Sequence, residues 1–266
     1  ICGTLLRNVL MIFTWLRNRR RKKILASPMP DHWEAILDEN VRQLARLSPP
    51  QRALLFQRVQ IFVREKYWEG CNDFQVTEEV KLTIAGQACL ITLGFAEDCF
   101  DHLKTILVYP DTYAATDNFQ NSIGVLTEGT SFRLGESWGK GPIILSWSSI
   151  YEGGQIPDDG RNVVVHEFAH YYDATEGQFS GTPPLHDNEE YQRWEEVMSA
   201  EFEKLRDQLA HGEETFIDAY GSTNPAEFFA VCSEHFFEQG ALMREYSVDL
   251  YETLRLFYRQ DPAQAV

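Results

Sequence analysis

The chain has 266 residues, is 44% apolar and 13% aromatic, and carries a formal net charge of −16. That length and apolar content support a substantial buried core and exclude a disordered chain. Residues 1–30 hold Arg7, Arg17, Arg19, Arg20, Arg21, Lys22 and Lys23 with no acid, which leaves −23 on the remainder; a body this acidic repels phosphates and argues against nucleic-acid binding, while permitting a basic protein partner. The five cysteines, Cys2, Cys71, Cys89, Cys99 and Cys232, are odd in number and lack a C-x-x-C pair, so free thiols and a cytoplasmic location are expected.

In chain order, residues 1–30 read as a basic, flexible tail. The apolar run 9–16 is too short to span a bilayer, and its charge follows the run instead of preceding it as in a secretory signal. Met11 is a candidate natural start. Membrane contact through this tail is the less favoured alternative. Ser48-Pro49-Pro50-Gln51 has the cap, first-turn proline and N3 glutamine of a helix start, followed by Leu55, Val59, Phe62 and Val63. Thr77-Glu78-Glu79 opens another helix with Val80, Ile84, Ala88 and Ile91 on one face. Strand candidates follow at 105–109, 123–126 and 142–147.

The apolar Val163-Val164-Val165 then leads into His166-Glu167-Phe168-Ala169-His170. Histidines four apart lie one helical turn apart on one face, so both rings reach one metal ion, and Glu167, about 100° round the helix, is placed to act as a base. Gly153-Gly154 with Pro157-Asp158-Asp159 reads as a loop entering this helix, with a carboxylate cap, and Gly177 as its exit, giving about 15 residues. Helices are also expected near 187–209, 224–237 and 247–258. The pattern is α+β: a mainly helical zincin-like domain over 31–266, with a small sheet ahead of the H-E-x-x-H helix, an N-terminal helical part to about residue 100 and a catalytic part beyond it.

Two histidines leave a catalytic zinc one protein ligand short. His32, His102, His186, His211 and His235 do not complete an extended three-histidine motif, because Asp173 and Glu176 stand at the positions required. Glu227 and Glu234, seven apart on one helix face, are equal candidates on spacing. Asn224, Pro225 and Glu227 also form a capping-box pattern that would give Glu227 a purely local role. Glu234 or Asp173 is the expected carboxylate that orients a ligand histidine.

Residues 164–173, Ile217-Asp218-Ala219-Tyr220, the 224–234 segment and Gly141-Pro142-Ile143-Ile144-Leu145-Ser146-Trp147 resemble the Mlc titration factor A (MtfA) family. The likeness runs from about Trp33 to Pro262. It implies a catalytic domain similar to the anthrax lethal factor protease domain and a zinc-dependent, aminopeptidase-like peptidase of the gluzincin type. One Zn2+ per chain would be held by His166, His170 and Glu227, with Glu167 as general base and Tyr220 as the active-site tyrosine. It further implies a peptide substrate and, as a second partner, the Mlc repressor of sugar-uptake genes. The alternative is a regulatory protein that sequesters this repressor, with peptidase activity secondary.

Overall fold

The computed structural model describes residues 2–96, 100–111, 141–174 and 179–264, with side chains in the first helix described from Thr14 onward. Its elements are α1 (Cys2–Leu25), α2 (Asp31–Asn40), α3 (Pro49–Glu65), β1 (Tyr67–Gly70), α4 (Glu78–Thr92), β2 (Thr105–Tyr109), β3 (Ile143–Ser146), α5 (Trp147–Gln155), α6 (Val163–Asp173), α7 (Asn188–Ala210), α8 (Pro225–Glu238), α9 (Gly240–Tyr246) and α10 (Val248–Tyr258). The strand candidate at 123–126 and the exit at Gly177 lie outside the described residues.

The sheet is parallel with order β1-β2-β3; Tyr67 pairs with Thr105, and Ile106 with Ile143. Ile106, Val108, Ile143 and Leu145 are buried at alternating positions, so one face of β2 and β3 supports the helices. Strand β3 is followed directly by α5, whose first turn is capped by Ser146.

Cap chemistry sets the main helix starts. Gln51 Oε1 accepts from both the backbone N–H and the hydroxyl of Ser48, at 3.0 and 2.7 Å. Thr77 Oγ1 accepts from Val80 N, and Asp187 Oδ1 accepts from Glu189 N and Glu190 N. Each satisfies donors that the first helical turn leaves open.

Two local expectations are replaced. Gly153 and Gly154 lie inside the last turn of α5, not in a loop: a Cβ on Gly154 would stand 2.1 Å from the Asn40 carbonyl oxygen, so close helix packing demands the glycine. Helix α6 is 11 residues long and its cap is Asn162, whose Oδ1 accepts from Val165 N at 3.0 Å. Asp159 instead accepts from Arg161 N, two residues on.

Residues 2–25, expected within a flexible tail, are helical. Arg20 and Arg21 each pair with Glu65 at 2.8 Å, Arg17 and Arg21 pair with Asp101, and Arg64 donates to the Ile24 carbonyl. The basic cluster thus finds carboxylates on the body instead of water alone. Among the described residues, no helix is long and apolar enough to cross a membrane.

Helix α6 is fixed from its apolar side. Phe168 is fully buried, with ring centroids 4.5 Å from Phe100 and 5.9 Å from Phe62, and the Tyr171 hydroxyl accepts from His102 N and Leu103 N. Helix α8 is held likewise by Phe229 and Phe236 against Trp194, Tyr251 and Tyr258. The remaining faces of α6 and α8 meet each other, and their polar residues are forced together there.

Candidate metal centre

His166 and His170 project from one face of α6 toward the first turn of α8. His166 Nε2, His170 Nε2 and Glu227 Oε2 stand 3.1, 3.2 and 3.2 Å from one another. Ligands about 2.0–2.1 Å from a tetrahedral ion are roughly 3.3 Å apart, so this triangle has the size that a zinc ion requires. These three residues are a metal-ligand group.

Glu227 does not close a capping box. Asn224 Oδ1 accepts from its backbone N–H at 3.0 Å, while its carboxylate turns to the two imidazoles. Burial raises that carboxyl's pKa, but hydrogen bonds from His166 and His170 outweigh it and hold the group well below the usual range.

Glu234 takes the orienting role. Its Oε1 is 2.7 Å from His166 Nδ1, and its Oε2 accepts from Asn162 N at 2.5 Å. With Nδ1–H donating to Glu234, His166 presents the lone pair of Nε2 to the metal position. Burial disfavours the charged ring, yet the charge of Glu234 and the hydrogen bonds of Glu227 and Glu234 raise its proton affinity well above normal. A metal and a proton therefore compete for Nε2.

Asp173, the rival for that role, instead grips the chain after α6. Its Oδ1 accepts from Ser180 N and Thr182 N and its Oδ2 from Gly181 N, at 3.2, 3.0 and 2.9 Å. Glu167 follows His166 on α6 and is 1% exposed. The Tyr220 ring lies 6.0 Å from that of His166, on a single turn of 3-10 helix capped by Asp218, whose Oδ1 accepts from Tyr220 N. Asp218 N donates to His235 Nε2 and its carboxylate pairs with Arg161. Burial depresses the His235 pKa. The neutral ring thus supports the Tyr220 turn.

A second layer escapes sequence reasoning. Glu238, 2% exposed, accepts at Oε1 from Gln43 Nε2 and Asn162 Nδ2, at 2.7 and 3.0 Å. It thereby ties the cap of α6 to the end of α8. The available signal was position: Glu227, Glu234 and Glu238 recur at intervals of seven and four along one face of α8. Burial pushes the Glu238 pKa up to about 8, against the opposing hydrogen bonds of Gln43 and Asn162.

The folded state therefore holds this proton more tightly than the unfolded chain. This contribution to stability is complete below pH 4.5, falls as pH rises toward about 8, and is level above that. Glu238→Gln is expected to flatten that slope and to be more stable than the parent at pH 8–9, by urea unfolding at pH 5, 7 and 9. An unchanged slope would contradict a buried neutral Glu238.

Among known proteins, residues 15–259 match the family described as glucose-regulated metallo-peptidase M90; the match begins inside the expected tail. The chain is similar to a protein of Synechocystis sp. named uncharacterized protein slr2042, 41% identical over 93% of this chain and 90% of that one. It is also similar to Mlc titration factor A of Klebsiella pneumoniae strain 342, 32% identical over 88% of each. Mlc titration factor A of Yersinia pestis is 29% identical over 93% of this chain and 89% of that protein.

Proposed function

Because the chain belongs to the glucose-regulated metallopeptidase M90 family, we propose that it is a zinc-dependent, aminopeptidase-like peptidase of the cytoplasm. The observation that carries this reading is the convergence of His166, His170 and Glu227 at tetrahedral ligand spacing. Two imidazoles and one carboxylate form a donor set suited to zinc, and three protein ligands leave a position for water or substrate. When bound, the metal supplies a Lewis acid that acidifies a water and stabilises charge developing on the scissile carbonyl.

The chain's own groups do the rest. Glu167 takes the proton of the attacking water and passes it to the leaving amine. The Tyr220 hydroxyl donates to the carbonyl oxygen as it becomes negative. Glu234 keeps His166 in the binding tautomer. Among the described residues β3 stands at one end of the sheet, and addition of an extended peptide along that strand is part of this proposal.

Tyr220→Phe is expected to lower kcat about 10²–10³-fold, the usual cost of one lost oxyanion donor, with KM little changed. Steady-state kinetics checks this, and an unaltered kcat would remove Tyr220 from the reaction. The aminopeptidase restriction is tested with an amino-acid anilide and its N-acetyl derivative. Hydrolysis of the free-amine substrate alone is expected, and equal rates contradict it.

A repressor protein is a second partner in this proposal. Relatives at about 30% identity carry the name Mlc titration factor A, and the acidic body, at −23 outside residues 1–30, suits a basic surface. Such binding should survive Glu167→Gln, which separates it from hydrolysis.

A further inference from the structure

Two aromatic rings flank the pair of ligand histidines. Tyr220 lies beside His166, and Phe179 lies beside His170, with ring centroids 6.1 Å apart and planes at 70°. Phe179 is half-buried, so part of its surface is accessible while its ring contacts His170.

Its position is over-determined. Phe179 immediately precedes the Ser180-Gly181-Thr182 run whose three backbone N–H groups converge on Asp173, at the end of the same helix that carries His166 and His170. Trp194 Nε1 donates to the Gly181 carbonyl at 2.9 Å. Gly181 has φ +75°, and a Cβ there would stand 2.3 Å from the Pro225 carbonyl oxygen, in the first turn of the helix that carries Glu227. Only glycine meets both constraints without strain. One loop is thus keyed to α6, α7 and α8 together, and it holds an apolar ring beside the ligand His170. A rigid ring fixed by its neighbours is how a pocket wall discriminates.

Resting on the peptidase reading, we propose that Phe179 is the specificity-determining wall of this site: it selects substrates whose first residue, the one donating the scissile carbonyl, has an apolar side chain. In an aminopeptidase that residue offers little besides its amine and side chain for recognition. A ring beside His170 rewards apolar surface removed from water and offers a glycine side chain nothing. The wall is built by Asp173, Gly181 and Trp194, which act as positioning residues.

The test uses zinc-loaded full-length protein and two chelating probes, leucine hydroxamate and glycine hydroxamate, with affinities measured by calorimetry. The wild type is expected to bind the leucine compound at least about tenfold more tightly, the range a small apolar group provides in a pocket. Phe179→Ala should reduce the ratio to within about twofold while leaving the glycine compound's affinity unchanged; Phe179→Leu should restore most of the preference. A ratio that survives Phe179→Ala overturns the proposal. So does an equal loss for both probes, which would make Phe179 only a shield for His170, and so does a wild type with no preference or no binding. Preference without hydrolysis of any peptide or anilide would retain Phe179 and reject the peptidase reading.

Discussion

Glu167→Gln should lower peptide hydrolysis by about 10²–10⁴-fold, the range expected for loss of a positioned base, while the protein still carries one zinc ion per chain. Glutamine keeps the shape of the side chain and the packing of a residue 1% exposed, but at neutral pH it does not accept the proton of an attacking water. The metal triangle draws on the residues before and three after it on α6, and on Glu227 from α8, so zinc content should not change. The check is kcat/KM alongside metal analysis of the same preparation. Undiminished turnover in a metal-replete mutant would remove Glu167 from the reaction.

Glu227→Ala and Glu234→Ala should fail in different ways. Removing Glu227 takes one of three ligands, and metal affinity is expected to fall more than roughly a hundredfold, beyond the usual 10–100-fold effect of an outer partner. Removing Glu234 should stay within that 10–100-fold range, because the three ligand atoms remain. It also strips the acceptor from Asn162 N, so the metal-free protein should lose about 1–3 kcal/mol. Metal-free Glu227→Ala keeps its backbone cap from Asn224 but loses the contacts of its carboxylate with His166 and His170, so metal affinity is the measurement that ranks the two variants. Competition with a chromophoric chelator and urea unfolding of the metal-free proteins measure both. The reverse ranking would make Glu234 the ligand.

That distinction marks the limit of what spacing conveys. Glu227 and Glu234 share a helix face, and either reaches α6 in principle. Only the register of α8 against α6 puts Glu227 Oε2 near both Nε2 atoms and Glu234 beside Nδ1. Resemblance to a family favours Glu227 where spacing does not. The two histidines needed no such help, because their separation is a property of one helix.

Helices with strong local punctuation were legible: Ser48, Thr77 and Asn224 all cap where the sequence indicates. Strand β1 was not, since Tyr67-Trp68-Glu69-Gly70 is four residues long with no fully buried position, and its pairing with β2 is long-range. Helix α5 was hidden by Gly153-Gly154, whose ordinary meaning is a loop. Here the glycines serve a close approach to Asn40 and Asn162, which depends on parts of the chain distant in sequence. Glu238 and Phe179 acquire meaning only from what surrounds them.

One titration decides whether these residues form a zinc site that hydrolyses peptides. Purified protein is assayed for metal content and for hydrolysis of a free-amine peptide as chelator is added and zinc is then returned. The expected result is one zinc per chain, activity that disappears in step with the metal, and recovery on adding one equivalent back. Full activity in protein freed of metal would contradict it.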